Sequence, residues 1–170
     1  MMMSQEQFDR ILDDHKKWMH GEGGKRASFF REDFSHVIFK NRAIADAKFV
    51  CCEFRGSNFT NNGFVRCDFH GCSFFGTVFD ECTFRLCDFT FANLKGALFC
   101  DSWIDSSFLT SAQFKYANFF WAGLKDSDLS RTDFTLATFC KASIMGCDLD
   151  NATFHRVDFI ETLIPEGVTR

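Results

Sequence analysis

CDFHGCSFFGTVFDECTF, residues 67–84, places Phe at 69, 74, 79 and 84, with Cys67, Cys72, Thr77 and Cys82 each two places ahead. A spacing of five fits neither an amphipathic helix, which repeats every three to four residues, nor a half-buried strand, which repeats every two. Residues two apart on a strand do share a face, so Cys67 and Phe69 point inward while Asp68 points to water. The two remaining residues must turn the chain before the next inward pair. Five residues therefore make one short side and one corner.

The beat runs from Phe29 to Ile164 without an insertion: 28 positions, of which 19 are Phe, 5 Leu and 4 Ile. Two places ahead, 25 of the 28 are Ala, Cys, Ser, Thr or Val, and the exceptions are Glu32, Arg42 and Asn62. This is an internal repeat, and it decides the fold before any other reading. The units CDF, AGL, CEF, SNF and ATF resemble the pentapeptide-repeat family over residues 27–166. The resemblance implies an all-β solenoid, a right-handed quadrilateral β-helix with four units per coil. Twenty-eight units then give about seven coils and, with strands ~4.8 Å apart, a rod roughly 34 Å tall. Residues 20 apart stack, so Phe39, Phe59, Phe79, Phe99, Phe119, Phe139 and Phe159 form one inner column. Each buried ring contributes roughly 1.5–3 kcal/mol.

Residues 1–26 are of another kind. Phe8, Ile11, Leu12, His15, Trp18 and Met19 fall at helical spacing, Ser4 with Gln7 fits a capping box, and Gly21 fits a helix end. A solenoid needs its terminal apolar layer covered, so this segment is expected to be a capping helix and connector. Glu32, Arg42 and Asn62 are expected to reach water or to bond the cap. The N-terminus lacks the pattern of a secretory leader, and no apolar run is long enough to span a membrane.

The chain has nine cysteines. Cys52, Cys67, Cys72, Cys82, Cys87 and Cys147 occupy the small inward position and are read as packing groups. The odd count and the lack of zinc-type spacing argue against a disulfide framework or a metal site, and the thiols point to a reducing cytoplasm. The five histidines are scattered over different columns, and no phosphate loop, HExxH or triad-like grouping occurs. A filled core leaves no substrate cavity. No catalytic residue, cofactor or metal is expected, nor nucleic acid or membrane as a partner.

Function is then expected on the outer surface, as an interaction or scaffold module with a protein partner. Outward aromatics cluster at Trp103, Phe120 and Trp121 beside Cys140, with Gly123 above Trp103 leaving room for the indole. The resemblance also implies an alternative: quinolone-resistance-like members bind DNA gyrase by imitating duplex DNA. Asp68, Asp88, Asp128 and Asp148 form a candidate acidic ladder for that role, although Asp is the family's default there. Duplex DNA carries one charge per ~1.7 Å, so a matching rod needs about 20. The formal net charge is −4, with eight acidic and eight basic residues over 27–99, and ten against six over 100–170. Finally, Leu149, Phe154, Phe159 and Ile164 form the last inner layer, followed by Pro165 and EGVTR. That end is expected to pair with a second copy, giving a homodimer through the C-terminal coil.

Overall fold

The computed structural model describes residues 3–39, 41–165 and 168. The repeat winds into seven coils, starting at residues 27, 47, 67, 87, 107, 127 and 147. Every rung pairs in parallel with the residue 20 further on. Four columns of outward residues mark four faces: Ser28 to Asp148 (face 1), Asp33 to Thr153 (face 2), Ile38 to Asp158 (face 3) and Ala43 to Leu163 (face 4). Three-residue strands form on face 1 as β1 (Ser28–Phe30) and β3 (Lys48–Val50). Face 4 carries β2 (Ala43–Ala45), β4 (Gly63–Val65), β5 (Thr83–Arg85), β6 (Trp103–Asp105), β7 (Gly123–Lys125) and β8 (Ser143–Met145). Elsewhere the sides are single bridges.

The chemistry of one unit explains the shape. The inward Phe N–H donates up one coil, as Phe49 does to the Asp68 carbonyl at 2.7 Å, and the residue before it donates down, as Asp68 does to Ala47 at 2.9 Å. The small inward side chain donates either to a carbonyl of the coil below, as Ser57 to Phe34 at 2.9 Å, Thr77 to Phe54 at 2.8 Å and Cys82 to Phe59 at 2.7 Å, or to one of its own coil, as Ser102 to Phe99 at 2.7 Å. That bond favours Ser, Thr and Cys where only a small group fits. Away from face 4 most corners close as a turn in which the core residue's carbonyl accepts the N–H three residues on, as Phe74 does from Thr77 at 3.1 Å. Every fifth residue from Arg31 to Glu161 accordingly has positive φ. The next-to-corner N–H faces outward, and an Asp or Asn two residues earlier accepts it: Asp68 from His70 at 3.1 Å, Asp88 from Thr90 at 2.8 Å and Asn118 from Phe120 at 3.0 Å.

Inside, rings stack coil on coil. The face 3 column is unbroken, with centroid separations of 3.9 Å for Phe39–Phe59, 4.8 Å for Phe79–Phe99 and 4.6 Å for Phe119–Phe139. Neighbouring columns meet edge to face, as Phe74–Phe79 does at 5.1 Å. Both arrangements suit the ring quadrupole.

The first coil is closed by α1 (Gln5–Met19), which opens on a capping box between Ser4 and Gln7. It ends with Gly21 in the left-handed region (φ 70°), its N–H on Trp18 and that of Glu22 on Lys17. Phe8 and Leu12 are buried against the core. Polar groups of α1 and its lead-in also replace the missing coil. The Gln5 amide donates to the Ile38 carbonyl at 2.8 Å and accepts the Ile38 N–H at 2.7 Å. His15 accepts the Ala27 N–H on Nδ1 at 3.1 Å and donates from Nε2 to the Ala45 carbonyl at 2.9 Å, a pairing that needs the neutral ring. The Met3 N–H reaches the Asp33 carbonyl at 2.9 Å. Trp18, expected on the buried face, is instead exposed: it stacks on His15 and lies under Arg26.

Arg42 and Glu32 behave as expected, whereas Asn62 neither reaches water nor bonds the cap, because backbone groups of the first two coils satisfy its amide inside the core. Arg42 leaves the core to pair with Asp13 (2.7 Å) and Asp9 (3.5 Å) of α1. Asn62, 3% exposed, accepts the Arg42 N–H at 2.6 Å and donates to the Phe59 carbonyl at 2.7 Å. Glu32 is exposed.

Candidate protein-interaction surface

Each unit offers three outward side chains: the one before the core residue and the two after it. The last of these sits in the left-handed region, which suits Gly and Asn and disfavours bulky side chains. At several corners the chain nonetheless places large apolar groups: Leu86 (φ 54°), Phe91 (59°), Tyr116 (62°), Trp121 (57°) and Leu136 (60°), all exposed. Three of them border face 3. Tyr116 and Leu136 stand at its corner with face 2, below which the same corner holds Gly56, Gly76 and Gly96. Trp121 stands at its corner with face 4.

The expected aromatic cluster is thus placed around one corner. Phe120 and Trp121 meet edge to face at 6.3 Å, and Trp121 is 56% exposed. Lys141 lies 5.3 Å from the Trp121 ring centre, and the Trp121 N–H donates to the Cys140 carbonyl at 3.1 Å. Trp103, on face 4, lies over Gly123: a Cβ there would sit 2.1 Å from the indole, so only glycine lets the ring lie flat. Face 3 between coils 2 and 6 presents Asn58, Thr60, Val78, Asp80, Leu98, Cys100, Asn118, Phe120, Thr138 and Cys140, with Asp80 as its one charge. Cys100 is not an activated thiol: partial burial and then the Asp80 carboxylate push it up to about 11. Burial, then Asp158, likewise raises Cys140.

The acidic ladder lies on face 1 as aligned rungs, Asp68 to Asp88 and Asp128 to Asp148, with Phe108 between them. Each of these carboxylates accepts a corner N–H of its own unit. Asp128 is held below the usual range: burial alone would raise it, but bonds from Ser130 and Thr110 outweigh that. The ladder therefore has a structural use independent of any ligand.

At the far end, Leu149, Phe154 and Ile164 are half-buried, and Phe159 is 6% exposed. Val168 is partly buried and packs against the core. Of the six inward cysteines, five are buried and Cys147, in the last coil, is half-buried, because no coil lies above it among the described residues. Burial pushes Cys82 up to about 12 and keeps it a thiol.

The sequence reading missed a cleft of about 600 Å³ where the C-terminal half of α1 overhangs face 4. Leu12, His15, Met19 and Arg42 line one side and Ala43, Ala45 and Gly63 the floor. The run of small outward residues on face 4, Ala43 then Gly63, was the available signal.

The family model for pentapeptide repeats matches residues 44–74, 67–102, 92–131 and 117–156. The chain belongs to the pentapeptide repeat family. Among solved structures it is similar to a trypsin-treated form of QnrB1, a plasmid-mediated fluoroquinolone resistance protein. The identity is 19% and the TM-score 0.55, over 78% of this chain and 72% of that one. It is also similar to a pentapeptide repeat protein of the Arabidopsis thaliana thylakoid lumen, with 22% identity and a TM-score of 0.55, over 56% of this chain and 67% of that one. Both likenesses are of fold. No curated protein sequence matches. Among the described residues, no helix is long and apolar enough to cross a membrane, and no three His, Cys, Asp or Glu side chains gather as a metal site would require.

Proposed function

We propose that this pentapeptide repeat protein is a non-enzymatic interaction or scaffold module of the cytoplasm, whose partner docks on the aromatic corner of face 3. The observation that carries this reading is Trp121. A bulky side chain in a left-handed corner costs roughly 1–2 kcal/mol that glycine would avoid, and here it exposes an indole beside Phe120 and under Lys141, with Trp103 around the corner. Strain kept at an exposed aromatic supports a binding role, and Trp is enriched at interface centres. The test is a pull-down from the native cell with the double variant Phe120→Ser, Trp121→Ser, whose fold is first checked by circular dichroism. Loss of a partner captured by the unaltered chain is expected. Unchanged recovery would rule the patch out.

A second reading, a DNA-mimicking protein that binds gyrase, draws on the aligned Asp68, Asp88, Asp128 and Asp148. Gyrase supercoiling assays test it: inhibition lost in Asp88→Asn, Asp128→Asn would favour it, and absence of any effect of the unaltered protein would remove it. The half-buried layer of Leu149, Phe154, Phe159 and Ile164 supports a homodimer through the C-terminal coil, which Phe159→Asp should dissociate in sedimentation equilibrium.

A further inference from the structure

Face 3 has an unusual frame. Its central column is almost uncharged, while the turn residues at its border with face 2 include Arg55, Lys95, Lys115 and Arg156 and those at its border with face 4 include Asp80, Glu81, Asp101, Glu161 and Lys141. One border is basic and the other mostly acidic. Strand addition is impossible here, because the ladder of each coil is bonded to the coils above and below. Whatever docks must do so by side chains.

We propose that face 3 pairs with the same face of a second copy, side by side, about a two-fold axis parallel to the rod. The proposal rests on the reading of this face as an interface and names its partner. Such an axis brings each border against the opposite border of the partner at the same coil. In coil 4, Lys95 meets Asp101 of the other copy. In coil 5, Tyr116 meets Trp121, while Lys115 is already paired with Asp133 on face 2 at 3.1 Å. In coil 7, Arg156 meets Glu161. Coils 1 to 3 set His36 against Asn41, Arg55 against Asn61 and Phe75 against Glu81, and coil 6 sets Leu136 against Lys141. No border pairing brings like charges together.

The centre column falls on the axis and meets its own copy: Val78, Leu98, Asn118 and Thr138 are uncharged. Only Asp158 faces its mate, at the last coil, flanked by Arg156. An axis across the rod does the opposite, setting Lys95 near Lys95 and Asp101 near Asp101. Complementary borders thus select the parallel pair. A face about 15 Å wide and 34 Å tall buries about 500 Å² per copy, near the lower limit for a specific interface, so the association is expected at a Kd of about 1–50 µM.

Sedimentation equilibrium of the full chain tests this with a charge swap. Lys95→Asp alone and Asp101→Lys alone should each weaken dimerisation about tenfold or more, and the two together should restore it to within about threefold. Both sites are exposed, so the fold is not at stake. Phe120→Ser with Trp121→Ser should dissociate the side-by-side pair, while Phe159→Asp should remove only the end-to-end contact of the C-terminal coils and leave the side-by-side pair intact. A monomer throughout, a dimer indifferent to the swap, or one abolished only by Phe159→Asp overturns the proposal. A monomeric chain that still loses a cellular partner through Phe120→Ser and Trp121→Ser would keep the interface and refute only the second copy as its occupant.

Discussion

At the first coil, α1 buries Phe8 and Leu12 on the aromatic layer while Gln5 and His15 bond the ladder groups of Ala27, Ile38 and Ala45. At the seventh coil, Leu149, Phe154 and Ile164 remain half-exposed, and Val168 is the one described residue of the tail that packs against the core. The interior repeats almost identically between them, so the ends isolate what a coil normally receives from its neighbour: apolar cover and partners for its N–H and C=O groups. The N-terminal end receives both. The C-terminal end receives a little of the first, and no ladder partner lies above Phe154 or Phe159 among the described residues.

The largest expected effect breaks the better-closed end. Deleting residues 1–26 removes the contacts of Phe8 and Leu12 and the bonds of Gln5 and His15, and should cost more than about 5 kcal/mol. In urea unfolding this is expected as aggregation or a lost folded baseline, whereas deleting the residues after Pro165 should cost about 1 kcal/mol. Single rings sharpen the contrast. Phe8→Ala should destabilise by about 3–5 kcal/mol and Phe154→Ala by about 1–2 kcal/mol, because the second ring is only half-buried.

A smaller effect concerns His15. Burial holds its protonation below the usual histidine range; Arg26 adds to this, and the Ala45 carbonyl and Asp46 oppose it. Its folded pKa is lowered, so below about pH 6.5 the unfolded chain binds a proton that the folded one refuses, and stability falls as pH falls through that window. His15→Gln offers the same acceptor and donor without titrating, and should flatten the histidine-dependent part of the stability–pH curve below about pH 6.5. The smallest effect should not distinguish the ends at all. Arg31→Gly and Arg156→Gly relieve the same corner strain and should each gain about 0.5 kcal/mol in thermal unfolding.

The short sides and corners were legible in the period of five with a small residue two ahead, and the cap in its helical spacing, whereas four sides per coil, and with them seven coils and stacked columns, came from the resemblance to the pentapeptide-repeat family. The aromatic corner was legible too, since Trp103, Gly123 and Trp121 follow from stacking in twenties. The donor and acceptor roles of Gln5 and His15 were not, because helical spacing says which residues turn inward but not which backbone groups wait there. Nor was the packing of Val168, a single apolar residue in a polar tail. The left-handed corners at Tyr116 and Trp121 were hidden because these residue types argue against that conformation, and the ladder imposes it. The structural use of the Asp ladder became evident only once the unpaired corner N–H was seen.

Hydrogen exchange in dilute solution, where copies are apart, tests most directly that the ladder is closed at the first coil and, among the described residues, has no partner above the seventh. The Ala27 and Ile38 amides, which donate to His15 and Gln5, should be protected nearly as well as those of the middle coils, and the Phe154 and Phe159 amides should exchange early. Protection of Phe154 and Phe159 equal to that of Ile38 would contradict the account.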